Sequence, residues 1–311
     1  MFCFVALIIF AILGIFSASH RTLAKEALDC VFRRVTLRPC NTGFKEKMQS
    51  KILGKLIMRS PRLAKAMNHH FELLAWIFFI LSVASTAWVI KDVYNVYVYG
   101  NCNGLNSTEF CAFDLGGINS AVSSIATKPC SLTPTKESNL SLNRVDLSSF
   151  PTENIQAKSK VVFIGCYLCD YSREAYPLIK KIVKENNVQY TFALYPTKSG
   201  SAYLTAYMDC AYKQDSKKFW QWNDAMFSSN KSNLLTSTYV QDILVRNGYN
   251  LRKIMACVNS TNTADLVNYQ INQLTNTGIY GTPTVFINGK PFVGPKPYRV
   301  YQFGLKPFIF F

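Results

Sequence analysis

The sequence predicts an α/β domain preceded by two membrane-spanning helices. Three observations lead to this prediction. Two long, uncharged apolar runs lie in the first 92 residues, a short β-branched run ends just before a Cys-x-x-Cys motif, and a second run with strand composition follows Thr282-Pro283. A buried strand that enters a helix through a tight turn and pairs with later strands is typical of an α/β sheet.

The composition indicates folded and membrane-embedded structure. Of 311 residues, 49% are hydrophobic, which excludes a disordered chain, and only 17% are charged, against about 25% in soluble domains. The net charge is +16. The segment Arg21 to Lys65 holds 12 Lys or Arg against 3 Asp or Glu. A short basic loop beside a membrane explains this charge, so we expect contacts with membrane lipid and no nucleic-acid partner.

The two apolar runs are the predicted spans. Phe2 to Ala18 and Leu73 to Ile90 contain 17 and 18 residues, about the length that crosses the hydrocarbon core as a helix. The alternative for the first run is a cleaved signal peptide, although no Lys or Arg precedes it. Because a short basic loop stays in the cytoplasm, the sequence predicts a two-pass protein of the cell membrane, with everything after about residue 93 extracytoplasmic.

Two cysteines, Cys30 and Cys40, lie in the basic loop. A structural zinc site needs four ligands, and no second close cysteine pair accompanies these two. We therefore predict inert thiols in this loop and no metal site.

Three parts follow from these boundaries. Residues 1–92 form the transmembrane hairpin, 93–157 an extracytoplasmic polar segment and linker, and 158–311 the folded domain. Within this part, Lys128 to Lys160 is rich in Ser, Thr, Pro, Asn and Lys, so we expect a flexible tether of roughly 30 Å. Asn-x-Ser/Thr triplets fit an exported domain without establishing one; they begin at Asn106, Asn139, Asn230 and Asn259.

The motif Cys166-Tyr167-Leu168-Cys169 lies between a predicted strand, 160–165, and a predicted helix, 170–186. A helix N-terminus favours an anion, so a thiolate at Cys166 is stabilised and can attack a disulfide. Cys169, one turn into the helix and less exposed, then resolves the mixed disulfide. The alternatives are half a zinc site, which lacks a second Cys-x-x-Cys or Cys-x-x-His, and a structural disulfide.

A second motif begins at Gly278, where a loop leads into a strand and Asn288-Gly289 indicates a hairpin turn. We predict a cis peptide bond at Thr282-Pro283, the alternative being an ordinary loop proline. The Cys-x-x-Cys corner, followed about 115 residues later by Gly-Thr-Pro-Thr-Val-Phe-Ile-Asn-Gly, resembles the DsbA-like thiol-disulfide oxidoreductases of the thioredoxin superfamily.

This resemblance covers roughly residues 158–300 and implies a thioredoxin-like fold with a helical insertion at about 200–275. It implies an enzyme that needs no cofactor, with Cys166 and Cys169 catalytic and with Thr282 and Pro283 holding the substrate backbone and tuning the redox pair. Tyr167 and Leu168 stand where many relatives have Pro-His, and are expected to alter the reduction potential.

The resemblance also implies a structural disulfide between Cys210 and Cys257, the alternative being two buried thiols. The remaining extracytoplasmic cysteines are four, with three pairings, and we prefer a local bridge between Cys102 and Cys111. The family's closing helix is not evident in the sequence, because prolines stand at positions 295, 297 and 307.

The sequence thus predicts a membrane-tethered oxidoreductase that forms or exchanges disulfides in exported cysteine-containing proteins. One alternative is an isomerase or reductase supplied with electrons by a membrane redox partner. Another is a tethered chaperone or binding module without turnover. The direction of electron flow depends on the reduction potential of the pair and on its partner. No histidine follows His70, which excludes Cys-His protease chemistry in the distal domain.

Overall fold

The computed structural model describes residues 18–36, 38, 70–107, 109–114, 123–124, 140–198 and 200–306. The chain divides into two compact units, residues 1–91 and 92–311, which are described separately. The predicted first span, 2–18, lies outside the described residues except for Ala18.

The first unit contains helix α1 (Ala18–Val35) and most of helix α2 (Phe71–Tyr99). Within α2, Trp76–Tyr99 is a candidate span of 24 residues, or about 36 Å, which exceeds the roughly 30 Å hydrocarbon core. It is the one such helix in the part of the chain that the structure describes, so the two-pass arrangement is not confirmed. The helix passes the predicted end at Ile90 and stops at Gly100, whose φ of 79° suits a helix terminus.

The buried face of α1 includes Ala27 and Cys30, three residues apart on the helix. Cys30 is disulfide-bonded. The prediction of an inert thiol at this position is therefore wrong, because the spacing of cysteines in a sequence does not show which of them are paired. Cys40 lies outside the described residues.

The second unit is built on a five-stranded sheet. In chain order its strands and first helix are β2 (Thr152–Glu153), β3 (Ser159–Gly165), α3 (Asp170–Glu185), β4 (Val188–Leu194), β6 (Thr284–Ile287) and β7 (Lys290–Val293), and β1 (Ser123–Ser124) lies outside this sheet. The strand order across the sheet is β2-β4-β3-β6-β7. The central strands β3 and β4 are parallel, and α3 connects them. The other neighbouring strands are antiparallel.

Both faces of this sheet are buried. The side chains of β3 alternate between the two faces and enter a different core cluster on each. Val161 and Phe163 point to the larger core cluster, which includes α3 and the inserted helices. Val162 and Ile164 point to a smaller cluster on the opposite face. A central strand covered on both faces reads as a continuous apolar run, which is how the sequence predicted it.

The predicted helical insertion lies between β4 and the strand β5 (Gly281–Thr282). Its helices cover one face of the sheet. The helix α5 (Ser216–Ser228) contributes an aromatic layer to this core, made of Phe219, Trp222 and Phe227. The helices are α4 (Tyr203–Gln214), α5 (Ser216–Ser228), α6 (Ser237–Arg246), α7 (Leu251–Val258) and α8 (Thr261–Thr275), with a short 3₁₀ turn at Asn233–Leu235.

Residues 140–157 pack on the sheet, so the prediction of a flexible linker is wrong for this part of the chain. Phe150 is buried and belongs to the smaller core cluster, against which Leu140, Leu142 and Leu147 pack. Four apolar residues spread over eleven positions carry too little periodicity to predict an element. The structure of the second unit therefore includes β2 and the segment before it, ahead of residue 158.

The chain closes the sheet with helix α9 (Tyr298–Leu305), which the prolines had obscured. Pro297 precedes its first residue as the N-cap, where a missing N–H costs little. Gly304 allows α9 to lie close to the sheet, because a Cβ atom there would stand 2.7 Å from the Phe292 ring.

Candidate active site

The Cys-x-x-Cys turn connects β3 to α3. The helix begins at Asp170, and Cys169 is its N-cap, with its sulfur accepting the Ser172 N–H at 3.4 Å. The Cys169 N–H donates to the Cys166 carbonyl at 3.1 Å, which closes the turn. The second cysteine, not the first as expected, therefore caps the helix, because the motif itself uses up the turn before helical geometry starts.

Both cysteines are free thiols and both are 0% exposed. The expected difference in exposure between Cys166 and Cys169 is therefore absent. The Cys169 thiol donates to the Thr282 carbonyl at 3.3 Å, and the Cys166 N–H donates to the Ser172 hydroxyl at 3.2 Å. The sequence signal for Ser172 was its place three residues into α3, where a polar side chain can reach back to the turn.

The loop before β6 brings the second motif to the cysteines. The Thr282-Pro283 peptide bond is cis, and Thr282 is fully buried. Its hydroxyl lies 3.2 Å from the Thr197 hydroxyl, just after β4. The structure thus brings Cys169, Thr282 and Pro283 together, although 113 residues separate the first two.

The side chain of Tyr167 points into the protein. It is fully buried, and its ring packs against Phe192, Trp222 and Phe227 at centroid distances of 5.6, 6.2 and 4.8 Å. The aromatic layer of α5 explains this orientation, which the motif alone could not show. Leu168 is 7% exposed.

A chain of hydrogen bonds runs from Tyr167 to the protein surface. The Tyr167 hydroxyl donates to Asn223 Oδ1 at 2.5 Å, Asn223 Nδ2 donates to the Tyr176 hydroxyl at 3.0 Å, and that hydroxyl donates to Asp224 Oδ1 at 2.5 Å. Burial raises the pKa of Tyr167 and of Tyr176, so both remain protonated donors. The network was missed; its signal was one amide, Asn223, among the aromatic residues of α5.

Arg173 fixes the other side of the turn. Its guanidinium donates to the Tyr167 carbonyl at 2.8 Å and to the Ser229 carbonyl. The Arg173 side chain thus ties the Cys-x-x-Cys turn to the end of α5. We find no sequence signal that distinguishes Arg173 from the other basic residues of α3.

Within the described part of the second unit, the four cysteines outside the Cys-x-x-Cys turn form two disulfides. Cys210 in α4 and Cys257 in α7 are joined, with 5.9 Å between their Cα atoms. Cys102 and Cys111 are joined within a loop, with a Cα separation of 5.4 Å. Neither bridge involves the Cys-x-x-Cys turn. Among the described residues, no group of three or more His, Cys, Asp or Glu could hold a metal ion.

Residues 157–305 match the family model described as thioredoxin. This is a thioredoxin-like domain. The match and the observed sheet confirm the predicted thioredoxin-like α/β fold. No curated protein sequence matches the chain significantly.

Solved structures with a similar fold include BdbD from Bacillus subtilis, at 18% identity and a TM-score of 0.44, covering 51% of this chain and 90% of that one. The thiol-disulfide exchange protein alpha-DsbA2 from Wolbachia pipientis gives 20% identity and a TM-score of 0.43, covering 50% and 84%. The catalytic domain of Proteus mirabilis ScsC gives 19% and 0.44, covering 51% and 90%. At this level of similarity, the substrates of those proteins do not carry over.

Proposed function

We propose that this protein is a membrane-tethered protein thiol-disulfide oxidoreductase that exchanges disulfides in exported proteins through Cys166 and Cys169. The observation that supports this best is the hydrogen bond from the Cys169 thiol to the Thr282 carbonyl. It joins two free cysteines, three residues apart at a helix N-terminus, to a cis-proline loop. A purely structural pair would not need an adjoining backbone edge that can hold a substrate.

The exchange reaction balances with the two cysteines alone. In the oxidising direction, a substrate thiolate attacks the sulfur of Cys166 in a Cys166–Cys169 disulfide, and the Cys169 thiolate leaves. A second thiolate of the substrate then attacks the substrate sulfur of the mixed disulfide. This step forms the substrate disulfide and releases Cys166 as a thiolate. The substrate loses two electrons and the pair gains them. The reductive direction is the reverse sequence.

The surroundings of Cys169 suit a sulfur that alternates between two protonation states. The Ser172 N–H at 3.4 Å stabilises negative charge on this sulfur when it leaves as a thiolate. The Thr282 carbonyl at 3.3 Å accepts the proton when the sulfur is a thiol. Cys169 is therefore the resolving residue, and Cys166 is the one that bonds to the substrate.

A trapping experiment on the full chain in detergent tests these roles. The Cys169→Ser variant should accumulate a mixed disulfide through Cys166 when it is mixed with a peptide disulfide, because no resolving thiol remains. The matched Cys166→Ser variant should accumulate none and should lose dithiol oxidation of a reduced test protein. If Cys166→Ser retains full activity, the proposed function is wrong.

Equilibration of the full chain with glutathione buffers then distinguishes the direction. A pair that stays oxidised in strongly reducing buffer is a poor oxidant and fits a reductase or isomerase that receives electrons from a membrane partner. A pair that is readily reduced fits an oxidase that such a partner reoxidises.

The proposal includes membrane anchoring by α2, with residues 92–311 outside the cytoplasm and the basic loop inside it in a two-pass arrangement. Disulfides are rare in a reducing cytoplasm, so Cys30, which is disulfide-bonded, is the sharpest probe of the loop. Intact cells would be treated with a membrane-impermeant reductant and then an impermeant maleimide. Labelled Cys166 with protected Cys30 supports the arrangement, whereas labelled Cys30 places the loop outside.

A further inference from the structure

Two residues far from the Cys-x-x-Cys turn in sequence occupy the backbone edge beside it. Strand β1 (Ser123–Ser124) pairs antiparallel with β5, with Ser123 opposite Thr282 and Ser124 opposite Gly281. These strands form a two-stranded sheet separate from the five-stranded one, and within the described ranges β5 pairs with no other strand. The chain itself therefore engages the backbone that directly precedes Pro283.

This edge borders the reacting sulfurs. The Thr282 carbonyl accepts the Cys169 thiol at 3.3 Å, while the Thr282 side chain is directed to Thr197 inside the protein. A segment that approaches the edge therefore meets backbone rather than a specific side chain. Pairing of this kind accepts an extended peptide with little regard to its sequence.

The burial of the Cys-x-x-Cys turn agrees with an occupied edge. Cys166 and Cys169 are both 0% exposed, and Leu168 is 7% exposed. A sulfur that exchanges with a protein substrate must be reached by a substrate sulfur. The described arrangement, with β1 paired on β5, is therefore a closed form of the site.

We propose that Ser123 and Ser124 act as an internal peptide ligand of the substrate edge, and that an extended, cysteine-containing substrate segment replaces them in the same antiparallel orientation. This rests on the proposed function, since only an exchange enzyme has a substrate for that edge. A covalently attached segment competes at an effective concentration on the order of millimolar. Because the edge pairs with extended backbone, a substrate needs an unfolded, extended stretch around its cysteine to displace β1.

Proline and alanine substitutions on the full chain separate backbone pairing from side-chain effects. The Ser123→Pro/Ser124→Pro variant lacks both amide donors, so the pairing loses its donated hydrogen bond whichever of the two residues faces the edge. The Ser123→Ala/Ser124→Ala variant keeps both amides and is the matched control. The readout is the rate of iodoacetamide alkylation of Cys166, followed by peptide mass spectrometry, which requires no catalytic turnover.

We expect alkylation of Cys166 at least about 5-fold faster in the proline variant than in the wild type, and an unchanged rate in the alanine variant. Equal rates in all three proteins would overturn the proposal. So would acceleration by alanine alone, because that would assign the effect to the side chains.

Hydrogen exchange of the wild-type segment 279–284 provides a measurement that is independent of how the proline variant folds. Slow exchange of the amides in this segment of the wild type supports the pairing with β1, and fast exchange contradicts it. Failure of the proposed function shows differently, as a Cys169→Ser variant that never forms a mixed disulfide although its Cys166 is alkylated.

Discussion

Cys210 lies in the same core cluster as Cys166 and Cys169, and its partner Cys257 packs against that cluster. Only Cys210 and Cys257 are bonded to each other; Cys166 and Cys169 are free thiols. Cys210, at 1% exposure, is nearly as inaccessible as Cys166. Burial therefore does not distinguish Cys210, which is bonded, from Cys166, which is a free thiol. What differs is the length of chain that each pair closes and the polar groups that contact each sulfur.

The two pairs close loops of very different length. Cys210 and Cys257 are 47 residues apart, so their bond removes loop entropy from the unfolded chain worth about 4 kcal/mol. A bond between Cys166 and Cys169 closes a single turn, worth roughly 2 kcal/mol on the same scale. The short bridge can open and close with a smaller effect on folding, which suits a pair that cycles.

The polar contacts differ in the same sense. The sulfurs of Cys210 and Cys257 lie 3.8 and 3.5 Å from one hydroxyl, that of Thr263. The sulfur of Cys169 has an N–H donor and a carbonyl acceptor, which can serve the thiolate and the thiol in turn. One pair therefore holds two helices together, and the contacts of the other suit the redox cycle of the proposed function.

The largest effect that we expect comes from Cys166→Ser. Exchange with a peptide disulfide should fall at least about 1,000-fold, because no other described thiol is placed to attack, while the thermal unfolding midpoint stays within a few degrees of the wild type. The measurement is a stopped-flow exchange assay, with calorimetry as the control. A modest loss of rate would mean that another cysteine carries the reaction.

The opposite pattern should follow from Cys210→Ala/Cys257→Ala. We expect the free energy of unfolding to fall by about 3–4 kcal/mol, with exchange largely retained at a temperature where the variant is folded. Urea unfolding and the same exchange assay give the two numbers. Loss of exchange in a folded variant would show that the two pairs are not independent, and the comparison above would fail.

The pH dependence of stability tests a buried ionisable group, Lys296, that lies outside both cysteine pairs. Lys296 is 1% exposed, and burial lowers its pKa to about 8, opposed by the charge of Asp114. Between about pH 8 and the ordinary lysine value near 10.4, the unfolded chain holds a proton that the folded domain has lost. Stability attributable to Lys296 therefore rises with pH in this window.

The Lys296→Met variant isolates this contribution, since methionine keeps an unbranched side chain without a charge. From pH 7.5 to 9.5, the wild type should gain on the order of 1–2 kcal/mol of unfolding free energy relative to the variant. The difference between the two proteins cancels the titration of the buried tyrosines, which they share. A constant difference across the window would show that Lys296 keeps its ordinary pKa.

The features that sequence predicts here are those with a local signal. The apolar run of β3 and the turn pair Asn288-Gly289 fix strands from a few adjacent residues. Cys166 and Cys169 stand out by their spacing. The position of Thr282-Pro283 directly before a strand predicted the cis peptide bond, and the resemblance to a known family supplied the helical insertion.

The features that escaped prediction depend on contacts between distant segments. The inward direction of Tyr167 depends on Asn223 and the rings of α5, 56 residues away along the chain. The pairing of β1 involves two serines whose composition indicates a loop. The helix α9 was hidden because Pro297 counts as a helix breaker in composition, although it stands just before the first helical residue.

The smallest expected effect comes from Tyr167→Phe. This variant tests whether the Tyr167 hydroxyl affects only the stability of the domain or also the redox equilibrium of Cys166 and Cys169. The variant leaves Asn223 Oδ1 without the donor at 2.5 Å, and a buried acceptor without a donor costs roughly 1 kcal/mol or more. Tyr195→Phe is the matched control, because the Tyr195 hydroxyl lies 3.5 Å from Thr275 at the limit of hydrogen bonding.

We expect Tyr167→Phe to lower the unfolding free energy by about 1 kcal/mol and to shift the glutathione equilibrium of Cys166 and Cys169, while Tyr195→Phe changes neither. The physical reason is that the Tyr167 hydroxyl fixes one residue of the turn, so that its loss relaxes the geometry between the two sulfurs. A stability loss with an unchanged equilibrium would show that the aromatic packing of Tyr167 alone fixes the geometry of the turn. The hydrogen-bond chain would then contribute to stability, like the bridge between Cys210 and Cys257, and not to the redox equilibrium.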